Sequence, residues 1–221
     1  MSGVLSTTGM GAIVFNAFKQ TLYMVFWSTL FSVILGFIPA IILTLTAPDG
    51  LKPNKIVYEL LSFIVNVFRS FPFIILLVIL IPFTRMVVGK SIGTTASIVP
   101  LTVSAIPYIA RVFETSLRET NPGVIEAAES MGLSKRVIVF RILLKEARAG
   151  VIRAVVISII SLLNLSAMAG TVGGGGLGDF AVRYGYGQYM TDITIVTVII
   201  LLIFVTIVQG SGSLLIKKIT H

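Results

Sequence analysis

Four stretches of the chain run for twenty residues or more without one Asp, Glu, Lys or Arg: Gln20 to Pro48, Ser91 to Ala110, Ala154 to Gly178 and Ile193 to Ile216. A bilayer core about 30 Å thick is crossed by about 20 apolar residues in helical form, so each of the four is long enough to span one. A fifth segment, Leu60 to Thr84, is interrupted only by Arg69. Lipid offers a peptide group no hydrogen bond, and a helix satisfies its backbone within its own segment. The pattern predicts an all-α integral membrane protein with five transmembrane helices, over about 20–47, 57–84, 92–110, 154–176 and 193–215.

Composition agrees and excludes several chemistries. Charged residues make up 12% of the 221, where a soluble domain carries roughly a quarter, and mean hydropathy is +1.02. Membrane lipid is the first partner implied. The net charge of +8 requires no nucleic acid, because basic residues flanking apolar spans are what the cytoplasmic bias of membrane proteins produces. There is no cysteine, and the one histidine, His221, cannot form a ligand cluster, so neither disulfide nor metal site is expected. Lys19 is the first basic residue, so no charged region precedes a short apolar stretch and a cleaved signal peptide is not expected.

Five spans put the termini on opposite sides. An outer N-terminus and cytoplasmic C-terminus place twelve basic residues inside (Lys52, Lys55, Arg111, Arg118, Lys135, Arg136, Arg141, Lys145, Arg148, Arg153, Lys217 and Lys218) and only Lys19, Arg85, Lys90 and Arg183 outside. The Lys/Arg bias therefore predicts N-out, C-in. The longest cytoplasmic connection then runs from Arg111 to Arg153. Within about 121–147 its punctuation predicts two short helices: Asn121 as N-cap with Pro122 at the first helical position, Gly132 as a left-handed terminator, and Ser134 as the second cap. Val137, Phe140 and Leu144, three and four residues apart, are expected to form one apolar face.

This connection also carries a resemblance. Glu126-Ala127-Ala128, three residues, Gly132, nine residues and Ile142-Leu143-Leu144 are similar to the E-A-A-x3-G-x9-I-x-L signature of permease subunits of ABC importers, which that family carries before the penultimate span. The signature usually ends in proline where this chain has Lys145, which loosens the expected helix end. Further stretches, Asn66 to Leu77, Ile81 to Gly89, Ile98 to Arg111, Ser166 to Tyr186 and the closing Thr220-His221, resemble the methionine-uptake members of that family. The resemblance implies a type I importer permease fold in a single domain over 1–221, located in the bacterial inner membrane. It implies a second copy of the chain as homodimer partner, two ATP-binding subunits, and an extracellular or periplasmic methionine-binding lipoprotein. ATP and Mg would be held by the ATPase, with no cofactor in this chain. Glu126, Ala127, Ala128, Gly132, Ser134, Ile142 and Leu144 would form the ATPase-coupling surface, and the solute would be methionine, D-isomer included.

Other residues are candidates for the path. Arg69 lies inside an expected span, where a charge must face protein, water or an interface; it either packs and orients or lines the path. Asn164, Ser166 and Met168 precede the run Gly173 to Gly176 and Gly178, which reads as a flexible hinge. Met168 is the expected plug. Ala154 and Ser158 form a small-xxx-small step that serves internal packing or dimerisation. Five helices are few to enclose a path and two copies supply ten, which favours a homodimer. Gly89-Lys90-Ser91 has the ending of a nucleotide-binding loop, but Thr84 stands where its first glycine belongs, so energy must come from another chain and no enzyme activity is expected. Alternatives are a permease for another amino acid or short peptide, and a secondary carrier or channel.

Overall fold

The computed structural model describes residues 7–220; His221 lies outside them. The helices are α1 (Thr7–Thr46), α2 (Lys55–Ser70), α3 (Phe73–Ile79), α4 (Ile81–Val88), α5 (Thr94–Arg118), α6 (Pro122–Ser130), α7 (Lys135–Val137), α8 (Leu144–Glu146), α9 (Arg148–Ala169), α10 (Gly176–Phe180) and α11 (Thr191–Thr220). Two wide π turns, Ile138–Leu143 and Ala181–Tyr186, and a kink at Gly170–Gly174, where Val172 and Gly173 leave helical backbone, complete them. Among the described residues four helical segments are long and apolar enough to cross a membrane: Gly9–Thr46, Thr94–Arg118, Arg148–Gly174 and Thr191–Ile219.

The fifth expected span, over 57–84, is not one straight helix. The chain bends by 101° between α2 and α3, and the bend has a local cause. Pro72 has φ −60° and ψ 128°, lacks the N–H that would continue the helix, and pushes Phe71 out of helical conformation. Arg69 stands next to this bend. It sits exposed in the last turn of α2, where a cation complements the carbonyl end of a helix. Taken as one broken span, α2 and α3 bring the number to five.

By its internal packing the chain divides into two compact units, to which α1, α5, α9 and α11 each contribute. The glycine-rich unit comprises the described residues up to Phe31, Phe71–Ala105 and Ile159–Val208. Its core includes Ala17, Leu177, Phe180 and Ile193, with Phe18 and Phe204 edge to face at 6.1 Å. The run expected as a flexible hinge is instead pinned within it. Gly176 N–H donates to Gln20 Oε1 and Leu177 N–H to Thr21 Oγ1, both at 2.8 Å. Gly175 has φ +76°, and a Cβ there would stand 2.7 Å from Gln20 Oε1. Positive φ and close approach together explain the glycine.

The charged unit comprises Ser32–Ser70, Ile106–Ser158 and the described residues from Gln209. One core cluster joins Leu117, Ala128, Ile138, Val139, Leu143 and Ala147; another joins Leu43, Val65 and Ala110. Ala154 and Ser158 are both buried, so their small side chains serve packing within the chain.

Candidate coupling corner and solute face

The α5–α9 connection takes the capped form its sequence predicts. Asn121 Oδ1 accepts Gly123 N–H at 2.9 Å at the start of α6. At its end Gly132 takes φ +74°, Gly132 N–H donates to Glu129 O at 2.9 Å and Leu133 N–H to Ala128 O at 3.2 Å, the paired bonds of a glycine-terminated helix. Ser134 Oγ then accepts Val137 N–H at 3.5 Å. The Glu-Ala-Ala triplet is divided by this geometry: Glu126 and Ala127 are exposed, while Ala128 is 1% exposed, in the cluster with Leu117, Ile138 and Leu143. Ile142 and Leu144 pack on the same cluster from partly buried positions.

The second helical segment departs from the expected face. Phe140 is 59% exposed, and the buried set is Ile138, Val139, Leu143 and Ala147. The cause is the π turn: Leu144 N–H reaches back five residues to Val139 O, so the period that selects Val137, Phe140 and Leu144 does not apply across it. Lys145, in place of the usual proline, lies in nearly continuous helical backbone, with only Ala147 between α8 and α9. The helix end that the signature normally marks is absent.

A charge network is centred on the buried Glu114. Glu114, 2% exposed, accepts Arg111 Nη1 at 2.6 Å and the Tyr58 hydroxyl at 3.1 Å, with Arg118 Nη1 at 3.6 Å. Arg118 Nη2 donates to Asp49 Oδ1 at 2.8 Å, and Arg111 Nη2 donates to Asn66 Oδ1 at 3.2 Å. The Arg118 guanidinium bonded to Asp49 holds its carboxyl below the usual carboxylate range, against a smaller opposing effect of burial. Arginines at i−3 and i+4 from Glu114 were a readable signal; the partners from 49, 58 and 66 were not. Beside the network a recess of about 270 Å³ is walled by Asp49, Leu51 and Arg118 on one side and Ile125, Glu126 and Glu129 on the other.

The residues assigned to the path separate. Asn164 and Met168, one turn apart on α9, are exposed, Met168 by 42%. Ser166 points into the chain: it is 2% exposed and its hydroxyl donates to Leu163 O at 2.7 Å. A serine that bonds back onto its own helix in a buried position does not present its hydroxyl to a solute. Among the described residues no group of three or more His, Asp or Glu could hold a metal ion.

Comparison with known proteins agrees with this geometry. The chain is 44% identical over 209 residues to the probable D-methionine transport system permease protein MetI of Vibrio cholerae serotype O1, covering 95% of this chain and 93% of that one. It is 39% identical over 200 residues to the methionine import system permease protein MetP of Bacillus subtilis, covering 90% of each. A solved inward-facing structure of the MetNI methionine ABC transporter superposes with a TM-score of 0.95 at 41% identity, over 98% of this chain and 100% of that one. A crystal structure of an amino acid ABC transporter, only 20% identical, shares the fold at a TM-score of 0.79. The family model described as binding-protein-dependent transport system inner membrane component matches residues 32–221. This chain, a multi-pass inner-membrane protein of the type I importer permease fold, belongs to that family.

Proposed function

We propose that the chain is the permease subunit of an ATP-driven importer of methionine, the D-isomer included. The observation that carries the reading is the corner at α6, an exposed Glu126-Ala127 edge fixed by Asn121 and Gly132 above the buried Ala128. A capped, rigid edge of this kind is what a partner needs in order to push on the chain. The names of the relatives support methionine, and the binding-protein dependence of the family supports an external lipoprotein as donor. Two copies of the chain work with two ATPase subunits, which bind ATP and Mg; no residue here is catalytic. Closure of the ATPases presses the corners together, and the permeases alternate between inward-open and outward-open states. Met168, exposed on α9, seals the resting path with its flexible side chain.

Purification of tagged chain from its native membrane in mild detergent is the test. A stoichiometric ATP-binding subunit, and ATP-dependent methionine uptake after reconstitution, are expected. A chain recovered alone and inert toward ATP would overturn the reading in favour of a carrier or channel.

A further inference from the structure

The loop between α1 and α2, residues 47–54, is built as a rigid piece. Its backbone closes on itself through Gly50 N–H to Ala47 O and folds back on α1 through Lys52 N–H to Leu45 O and Asn54 N–H to Thr46 O, all at 2.9 to 3.0 Å. A Cβ at Gly50 would stand 2.5 Å from the carbonyl oxygens of Thr44 and Leu45, so the turn has no slack. Asn54 Oδ1 accepts Val57 N–H at 3.1 Å and ties the far end to α2.

This rigid loop is held at two points to two different elements. Asp49 takes the Arg118 guanidinium at 2.8 Å, and Arg118 is itself held by Glu114 and by the Tyr58 hydroxyl at 3.4 Å. Two residues on, the Leu51 carbonyl accepts a hydrogen bond from Lys135 Nζ, the first residue of α7, and the Leu51 side chain packs on the cluster that contains Ala128 and Ile138. Between these attachments lies the recess of about 270 Å³ walled by Glu126 and Glu129. The exposed edge of α6 therefore has room to move against the loop, while its hinge side, at Lys135, is fastened to it.

We infer that loop 47–54 is a strut joining the coupling corner to α5, with Glu114 and Lys135 as the positioning residues at its two ends. A push on α6 turns the corner about Gly132. The Lys135–Leu51 contact passes that displacement into the loop, and the Asp49–Arg118–Glu114 chain delivers it to α5 and, through Tyr58, to α2. Charge-assisted contacts anchored on the buried Glu114 suit this task because they fix direction and have discrete arrangements. Neither Glu114 nor Lys135 touches solute or nucleotide in this scheme; each acts through the corner.

The inference rests on the importer reading for its function but not for its mechanics, and two measurements separate the two. In the reconstituted complex of permease and ATPase, Glu114→Gln and Lys135→Met should each lower solute moved per ATP hydrolysed by about five-fold, the scale of a weak coupling free energy, without slowing hydrolysis. Lys135→Arg, which keeps a donor for Leu51 O, should restore the ratio. In the isolated chain in detergent, hydrogen exchange at 122–133 should quicken in Glu114→Gln and Lys135→Met and stay slow in Lys135→Arg. Unchanged exchange in both variants overturns the strut whatever the complex does. Uptake and hydrolysis falling in parallel without rescue by arginine overturns it as a coupling element. Wild-type complex without ATP-driven uptake refutes the importer reading alone, since the exchange pattern still decides the strut.

Discussion

Each of the two compact units is held together internally by its own kind of contact. The charged unit contains thirteen of the seventeen Lys and Arg residues and seven of the nine Asp and Glu residues, and there α5 is tied to loop 47–54 by the Arg118–Asp49 ion pair and to α2 by hydrogen bonds from Tyr58 to Glu114 and from Arg111 to Asn66. The glycine-rich unit contains four basic and two acidic residues, and there a glycine backbone is laid directly against Gln20 and Thr21. Neutral bonds to a side-chain amide and a hydroxyl satisfy the broken backbone without burying charge. Charged contacts with exposed partners such as Asp49 can be rearranged. One unit is thus sensitive to volume and the other to charge.

Steric change in the glycine-rich unit should give the largest effect. Gly175→Val adds a branched side chain at φ +76° and 2.7 Å from Gln20 Oε1, and should cost on the order of 3 kcal/mol. A thermal-unfolding assay in detergent reads it; an unshifted transition would show that the run is loose after all. In the charged unit Glu126→Lys changes charge on an exposed edge. Membrane insertion and thermal stability should stay as in wild type while ATP-driven uptake falls about tenfold, or 1.4 kcal/mol of coupling; normal uptake would remove Glu126 from the contact. Met168→Ala tests whether the glycine-rich unit has a face that volume changes leave stable. The unfolding midpoint should hardly move, whereas resting leak of small solutes and basal ATPase of the assembled complex should rise, and no rise in either rejects the plug.

The smallest effect belongs to Asp49→Asn. Its carboxylate is 65% exposed, so the Arg118 contact should be worth less than about 1 kcal/mol. Arg118 depresses the carboxyl pKa, so the stabilisation is fully present above the unfolded value of about 3.9 and is lost as pH falls through the lower folded value. Unfolding midpoints of wild type and variant should therefore differ at pH 6 and converge below pH 4. A difference that persists in acid would mean that Asp49 acts by packing and not by charge.

Legibility in the sequence followed the range of each interaction. The caps at Asn121, Gly132 and Ser134 depend on three or four neighbouring residues and were readable, as were the charge-free intervals. The outward turn of Phe140 was not, because periodicity assumes a regular helix and a single i→i+5 bond shifts the register. Pro72 was visible, but only its backbone shows that a 101° bend, and not a tolerated kink, results. The glycine run suggested freedom because the residues that pin it, Gln20 and Thr21, lie 156 positions away. Of the path residues, sequence proximity grouped Ser166 with Asn164 and Met168, and helical geometry turned it away.

The π turn at Ile138–Leu143 carries a further consequence, for how chain length can vary. A wide turn holds one residue more than the regular helix around it, so losing one residue there lets the segment relax to ordinary α-helical winding with Leu143 and Ala147 still facing inward. The same deletion within α5 would rotate everything beyond it by about 100°, carrying Glu114 and Leu117 off their partners. The coupling corner is therefore where this protein can absorb a change of length, and α5 is where it cannot.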